Sequence, residues 1–318
     1  MPRINKNHFS RRDGLSRISA VIYPIPTATT MLHGYIPPRR FLPYLSWVDI
    51  DALPDRKNTV IVLPCGAIEQ HGPHLPCSVD SVIASGVMGR ALDKLPSSVA
   101  AFAMPTITYG KSEEHLHFPG TMTLTGTTLL STVIEIGESV YRSGFRKLVF
   151  ANGHGGQPQV LEMAARELRL RHGDFVVVPF GVTRLPNASS KQIGEQEKRL
   201  SMHAGHSETA LMLALAPETV RMDRAAANFP PPFPIKLLSP DGRPACAWTA
   251  RDFGPSGVIG DPTSATLEQG KEILETLSDS WAQALTELHA LDWIVREEPT
   301  WERGHQTGFV QTFGPAAA

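Results

Sequence analysis

TVIVLPCGAIEQHGPHLPCSVDSVIASGVMGRAL, residues 59–92, reads as a strand, a broken segment and a helix. The run 59–67 is short, apolar and bounded by glycine, the pattern of a buried strand. Residues 81–92 carry apolar side chains at helical spacing. Between them, residues 65–80 hold Glu69, His71, His74 and Asp80 among Gly66, Gly72, Pro73 and Pro76. A regular helix cannot run through that punctuation. A loop at a strand end can aim several side chains at one point.

The same alternation continues down the chain. Residues 100–110 read as a strand with a proline interruption, 147–153 and 175–180 as further strands. Residues 126–144 are helical, with Leu129, Leu130, Val133, Ile134, Val140 and Tyr141 on one side. Residues 157–173 form a helix with Pro158 suited to its first turn and Gly173 to its end. Such β-α alternation with short connections predicts a mostly parallel sheet covered by helices on both faces. Residues 208–217 read as a buried helix stopped by Pro217. Residues 266–291 read as an amphipathic helix with Leu274, Leu277, Trp281, Leu285 and Leu288. The Pro-rich stretch 230–262 is too apolar for a linker and too broken for regular structure. It reads as a long ordered loop covering a site or a subunit contact. The expected organisation is a basic, flexible extension over 1–40, one domain over 41–294, and a tail over 295–318.

Composition excludes several classes. The chain has 318 residues, 42% of them hydrophobic, enough for a sizeable core. Lys+Arg 30 against Asp+Glu 31 leaves no global field for nucleic acid or an anionic membrane. No apolar run reaches the roughly 18–20 residues of a membrane span. Cys65, Cys77 and Cys246 form no CxxC pair and no even framework, so the expected compartment is reducing and cytoplasmic. The extension holds Arg3, Lys6, Arg11, Arg12, Arg17, Arg39 and Arg40 against Asp13. It reads as a flexible terminus, or as sequence upstream of a natural start at Met31, rather than as a transit peptide or anion-binding tail.

In an open parallel sheet, ligands bind at the carboxyl ends of the strands. The polar clusters fall there: Glu69 and His71, then His115 and His117, then Asn152 and His154. His203, His206 and Glu208 lie at the buried helix. Glu69, His71, Asp80, His154 and Glu208 are all oxygen or imidazole donors, a set suited to Zn²⁺, Mn²⁺ or Fe²⁺. They exceed the needs of one tetrahedral ion, and a pair bridged by one carboxylate would use them better. Asp80 is placed to bridge; read alone, it would be a helix N-cap. His74 reads as a loop-orienting residue. His206 is either a ligand or a pocket residue. The glycines around His154 in ANGHGGQ, 151–157, allow backbone amides to approach a ligand, so Gly155 and Gly156 are candidates for steadying an oxyanion. His203 can protonate a leaving nitrogen. His115 and Trp248 are candidates for shaping a substrate pocket. No GxSxG elbow, GxGxxG fingerprint or P-loop lysine is present.

Together, GAIEQHGPHLP…D (66–80), EHLHFPGT (114–121), ANGHGGQ (151–157), HAGHSET (203–209) and GVIGDP (257–262) resemble the creatininase family. The resemblance covers roughly 45–290. It implies a three-layer α/β/α subunit, a homohexamer, a two-metal site, and hydrolysis of an amide-type C–N bond by a metal-activated hydroxide. By position it implies Glu69, His71, Asp80 and His154 as ligands, Asp80 as the bridge, and His203 as a catalytic histidine. Creatininase itself has a glutamate where Gly156 stands here, and relatives with NGHGG point instead to Glu208. Gln157, His206 and Ala210 are further departures. The substrate expected is therefore a small amide, lactam or formamide, with a peptide precursor as the alternative and a non-catalytic metal scaffold as a second.

Overall fold

The computed structural model describes residues 32–230 and 246–293. Strands β1 (Val60–Cys65), β2 (Ala101–Ala103), β3 (Lys147–Asn152) and β4 (Val176–Gly181) form a four-stranded parallel sheet in the order β2-β1-β3-β4. Among the described residues, the helices are α1 (Trp47–Asp51), α2 (Val79–Lys94), α3 (Gly126–Arg142), α4 (Pro158–Arg171), α5 (Ser189–Gln192), α6 (Glu195–Leu200), α7 (His206–Leu215) and α8 (Leu267–Ala290).

β1 and β3 are buried at every position, as central parallel strands covered on both faces must be. Their alternating side chains feed two cores. Val60 and Val62 pack with Ile83 and Val87 of α2, Leu211 of α7, and Leu277 and Trp281 of α8. Ile61, Leu63 and Phe150 pack with Leu129 and Val133 of α3 and Leu161 and Leu168 of α4. The result is the three-layer α/β/α arrangement expected above.

The helix predictions match to within a few residues because their ends carry readable chemistry. Pro158 opens α4 at its first turn. The hydroxyl of Thr266, ahead of α8, accepts from Gln269 N–H (3.2 Å), and Gln269 Oε1 accepts from Thr266 N–H (2.9 Å). Two details differ from expectation. Gly173 is not a left-handed cap, since α4 already ends at an extended His172 (φ −131°). Residues 100–110 pair as a strand only over Ala101–Ala103, because Pro105 has no N–H to give the ladder; one bridge, Cys65 to Ile107, resumes beyond it. Pro64 is tolerated in central β1 because its carbonyl, taken by Ile107 N–H (2.9 Å), faces that interrupted segment.

Residues on both sides of the expected boundary at residue 40 are packed. Ile36 and Phe41 are core residues, and Arg40 is buried. Its guanidinium donates to the carbonyls of Leu95 (3.0 Å), Pro96 (3.0 Å) and Val99 (2.8 Å), at the carbonyl-rich end of α2. Residues 1–31, 231–245 and 294–318 lie outside the described residues, and with them the extension's basic cluster of Arg3 to Arg17, much of the Pro-rich loop, and the tail.

Helix α8 lies so close on α7 that a Cβ at Gly270 would strike the carbonyl of Ala210. Gly270→Ala is therefore expected to lower stability by about 1–3 kcal/mol, read as a reduced melting temperature. An unchanged melting temperature would show that the two helices can separate freely.

Candidate metal centre

The strand ends are laced together before any functional side chain is added. Gly153 N–H donates to the Cys65 carbonyl (2.8 Å), and Gly66 N–H to that of Ile107 (2.8 Å). A Cβ at Gly153 would strike the backbone of Asp80, so the glycine lets the start of α2 sit against the end of β3. Ser78, not Asp80, occupies the N-cap position of α2, so Asp80 does not cap. Its carboxylate turns inward.

There it meets residues from three other segments. His154 Nδ1 lies 3.2 Å from both Glu69 Oε2 and Asp80 Oδ2. His71 Nε2 lies 3.3 Å from Asp80 Oδ1 and 3.9 Å from Glu69 Oε1. Three sets of donor atoms each converge within 4.8 Å: Glu69–Asp80–His154, His71–Asp80–Glu208 and Glu69–His71–His203. Asp80 belongs to the first two and offers a different oxygen to each histidine. Glu69, His71, Asp80 and His154 are almost wholly buried. Glu208 keeps part of its surface accessible, although it lies deep among other groups.

Backbone carbonyls fix which ring nitrogen carries the proton. A carbonyl only accepts, so the nitrogen facing it must hold hydrogen. His154 Nε2 donates to the Lys111 carbonyl (2.8 Å) and His71 Nδ1 to that of Glu69 (3.2 Å). His203 Nε2 donates to the Gln70 carbonyl (2.6 Å). In the neutral rings, His154 Nδ1, His71 Nε2 and His203 Nδ1 therefore present lone pairs to carboxylate oxygens. Glu69 Oε2, Asp80 Oδ2 and His71 Nε2 are buried with no hydrogen-bond partner. Lone pairs facing buried anions call for a positive charge between them.

The electrostatics of the cluster make the same demand. Burial opposes a charge on His71, yet Asp80 and its neighbours raise it to about 9. Burial likewise opposes charge on His154, but Glu69 and Asp80 hold it well above the ordinary value. Burial would raise Glu69, and the neighbouring His154 instead takes it down to about 2. Glu208 is pushed up, chiefly by burial. His203 is pushed well below its ordinary value by burial and then by His71 and His115, so it stays neutral.

The remaining candidates divide. His115 is buried in the cluster, with Nε2 3.4 Å from Glu69 Oε1 and its ring 4.3 Å from that of His203. His74 is a tie, as expected: Nε2 meets Thr209 Oγ1 (2.9 Å) on α7, beside Glu208. His206 turns away. Its N–H donates to Glu197 (2.9 Å) and its Nε2 lies 3.2 Å from Gln269 Oε1 on α8, so the structure does not bring it to the cluster. Gly155 is exposed, and Gly156 abuts Glu114 and the Nε2 edge of His154, opposite the nitrogen that faces Asp80. Trp248 packs on Phe253 (5.3 Å), just before a 3₁₀ turn at Ala250–Phe253 that touches the His115 turn; no contact brings its ring to the carboxylates. His117 is exposed.

Four supporting residues were given no role in the sequence reading, although Asn152 was placed at its strand end. Asn152 clasps His154, accepting its N–H (3.1 Å) and donating to its carbonyl (2.7 Å). Gln157 joins Asn152 (2.9 Å), the Gly66 carbonyl (3.2 Å) and Lys111 N–H (3.2 Å). Ser112 Oγ lies 3.3 Å from His154 Nε2. Gln70 braces both His115 and His203. Asn152, Gln157 and Gln70 all sit inside the motifs, but an amide side chain gives no sign of its partner.

The family model described as creatinine amidohydrolase matches residues 43–285. The chain belongs to the creatininase family. It is 32% identical over 228 residues to the mycofactocin precursor peptide peptidase of Mycolicibacterium smegmatis, covering 71% of this chain and 84% of that protein. It is also 32% identical over 270 residues to the creatinine amidohydrolase of Pseudomonas putida, covering 78% of this chain and 96% of that protein. A crystal structure of creatinine amidohydrolase superimposes with a TM-score of 0.63 at 29% identity, over 80% of this chain and 99% of that one. Solved creatininases include a variant of Zn–Zn type and a manganese form. This chain is thus a creatininase-family hydrolase, and the family binds divalent metal. Among the described residues, no helix is long and apolar enough to cross a membrane.

Proposed function

We propose that this creatininase-family chain hydrolyses an amide-type C–N bond of a small molecule (a cyclic amide, lactam or formamide) at a centre of two divalent ions. Glu69, His71, Asp80, His154 and Glu208 would hold them, with Asp80 shared. One observation carries this reading: buried carboxylates and imidazole lone pairs converge on Asp80 from two sides, their ring protons pinned outward by backbone carbonyls. Divalent ions held there would polarise a carbonyl oxygen and lower the pKa of a water, to about 7 in favourable zinc sites.

The chain's own groups supply the rest. His203, whose charge is disfavoured by burial, lies between the tilted rings of His71 (4.2 Å) and His115 (4.3 Å), with its Nε2–H anchored and Nδ1 facing the cluster. Nδ1 can take a proton there and hand it to the departing nitrogen. The 3₁₀ turn following Trp248, packed on the His115 turn, supports a place for Trp248 at the pocket's edge. Gly155 and Gly156 remain proposed as oxyanion supports at the start of α4. His206 bears on substrate only through the placement of α7. A homohexamer in the cytoplasm is the assembly and location we propose, from family resemblance and cysteine usage.

A second reading is favoured by the peptidase relatives: trimming of a short peptide precursor at the same centre. A panel of lactams, formamides and linear amides beside short peptides separates the two. Chelator-stripped protein should lose turnover on the responsive class and regain it with Zn²⁺, Mn²⁺ or Fe²⁺. Turnover unaffected by complete stripping would refute the metal-dependent reading, and saturated metal with no hydrolysis across the panel would leave a binding scaffold.

Proton and cation compete for the same lone pairs, which gives a pH prediction. Without metal, His71 is raised to about 9 from an ordinary 6.5. Its protonation therefore stabilises the ion-free fold fully below 6.5, and that contribution disappears as pH rises through 9. The loss is about 3 kcal/mol at most by linkage. The ion-free protein should lose melting temperature between pH 6.5 and 9, while zinc affinity, measured by competition with a chelator, should rise up to about tenfold per pH unit for each proton displaced. Zinc affinity flat over that range would show that no ring proton is displaced.

A further inference from the structure

We propose that Gln70 is a positioning residue that makes His115 a hydrogen-bond donor to Glu69 and keeps it from becoming a metal ligand. The inference rests on the metal-centre reading above and concerns how that centre sorts its histidines.

Two backbone groups beside the Gln70 amide have unambiguous roles. Gly72 N–H can only donate, and it points at Gln70 Oε1 (2.8 Å). The Gly257 carbonyl can only accept, and it faces Gln70 Nε2 (3.1 Å). Together they fix the amide orientation, with no freedom to exchange oxygen and nitrogen. Gln70 Nε2 then also faces His115 Nδ1 (2.9 Å). Since Nε2 of the amide donates, His115 Nδ1 must accept, and the neutral ring carries its proton on Nε2. That N–H faces Glu69 Oε1 (3.4 Å).

The consequence falls on Glu69. Oε1 is the oxygen that the His115 N–H faces, while Oε2 stays with Asp80 Oδ2 and His154 Nδ1. His71, His154 and His203 have their protons turned outward by carbonyls and their lone pairs inward. His115 is arranged the opposite way, with its proton inward. An amide at position 70 thus separates one donor from three lone-pair bearers that otherwise share the same residue type. The Gln70 carbonyl separately anchors His203 (2.6 Å), an anchor that no side-chain substitution removes.

The test is direct observation of the ring proton. In zinc-loaded protein carrying ¹⁵N-labelled histidine, two-bond nitrogen–proton correlations assign the tautomer, and His115→Gln identifies the signals. The native protein should show His115 protonated on Nε2. Gln70→Glu keeps size but offers only acceptors, so the His115 proton should move to Nδ1. On the responsive substrate, kcat should fall by about 10–100-fold, as for outer partners of metal centres, with KM changed less than about threefold. Native His115 protonated on Nδ1, or a tautomer unmoved by Gln70→Glu, would overturn the proposal. The native measurement decides the matter even if the variant does not fold. The stated tautomers in a protein that hydrolyses nothing would support Gln70's role and remove only the functional reading.

Discussion

Asp80→Ala should release bound metal and reduce turnover by well over about 100-fold, beyond what loss of an outer partner causes. Asp80 is the residue whose two oxygens face different histidines, His71 at 3.3 Å and His154 at 3.2 Å. Removing it takes an anion from both donor sets at once. Asp80→Asn is the sharper form, because it keeps the shape and removes the charge. Its amide would also turn N–H groups toward lone pairs that need a cation. Elemental analysis after gel filtration should give less than half the native metal content for either variant, with the folded fraction checked by melting. Full native metal content in Asp80→Asn would mean that the ions, if present, sit elsewhere.

His203→Ala should behave in the opposite way: native metal content, with kcat lower by about 10²–10⁴-fold, the range of a lost proton-transfer group. The reason is positional. His203 is held by a carbonyl at Nε2, lies between two imidazole rings, and stays neutral because burial and those rings disfavour its charge. It also belongs to the Glu69–His71–His203 set, so a ligand role is the competing outcome. Loss of about one ion per chain in His203→Ala, measured beside kcat, would assign it as a ligand and move proton transfer to another group.

Much of this was legible in the sequence, for identifiable reasons. The sheet was readable because β1 and β3 are buried on both faces and so are written as unbroken apolar runs. The helix ends were readable at Pro158 and Pro217, where backbone chemistry forces the residue type; the Thr266 cap was passed over as the first residue of the helix. Glu69, His71 and Asp80 could be grouped because one short stretch of sequence carries them, although Asp80 proves to lie in the first turn of α2; His154 and Glu208 joined them by strand-end logic and by resemblance. What stayed hidden was contact across long separations. His206 shares a segment with His203, yet its ring is claimed by Gln269, which no local pattern announces. Arg39 and Arg40 counted as part of a basic arm, although Arg40 caps carbonyls at the end of α2 and Arg39 pairs with Asp93 (2.8 Å). The depth of His115 depends on Gln70 and on Gly257, reached only after the chain returns 187 positions later.

Anomalous diffraction from crystals of the zinc-loaded protein, collected on both sides of the zinc edge, would locate the ions. Two peaks per chain are expected, one among Glu69, Asp80 and His154 and one among His71, Asp80 and Glu208, with Asp80 between them. A single peak away from Asp80, or none at saturating zinc, would rule out a two-ion centre built on Asp80.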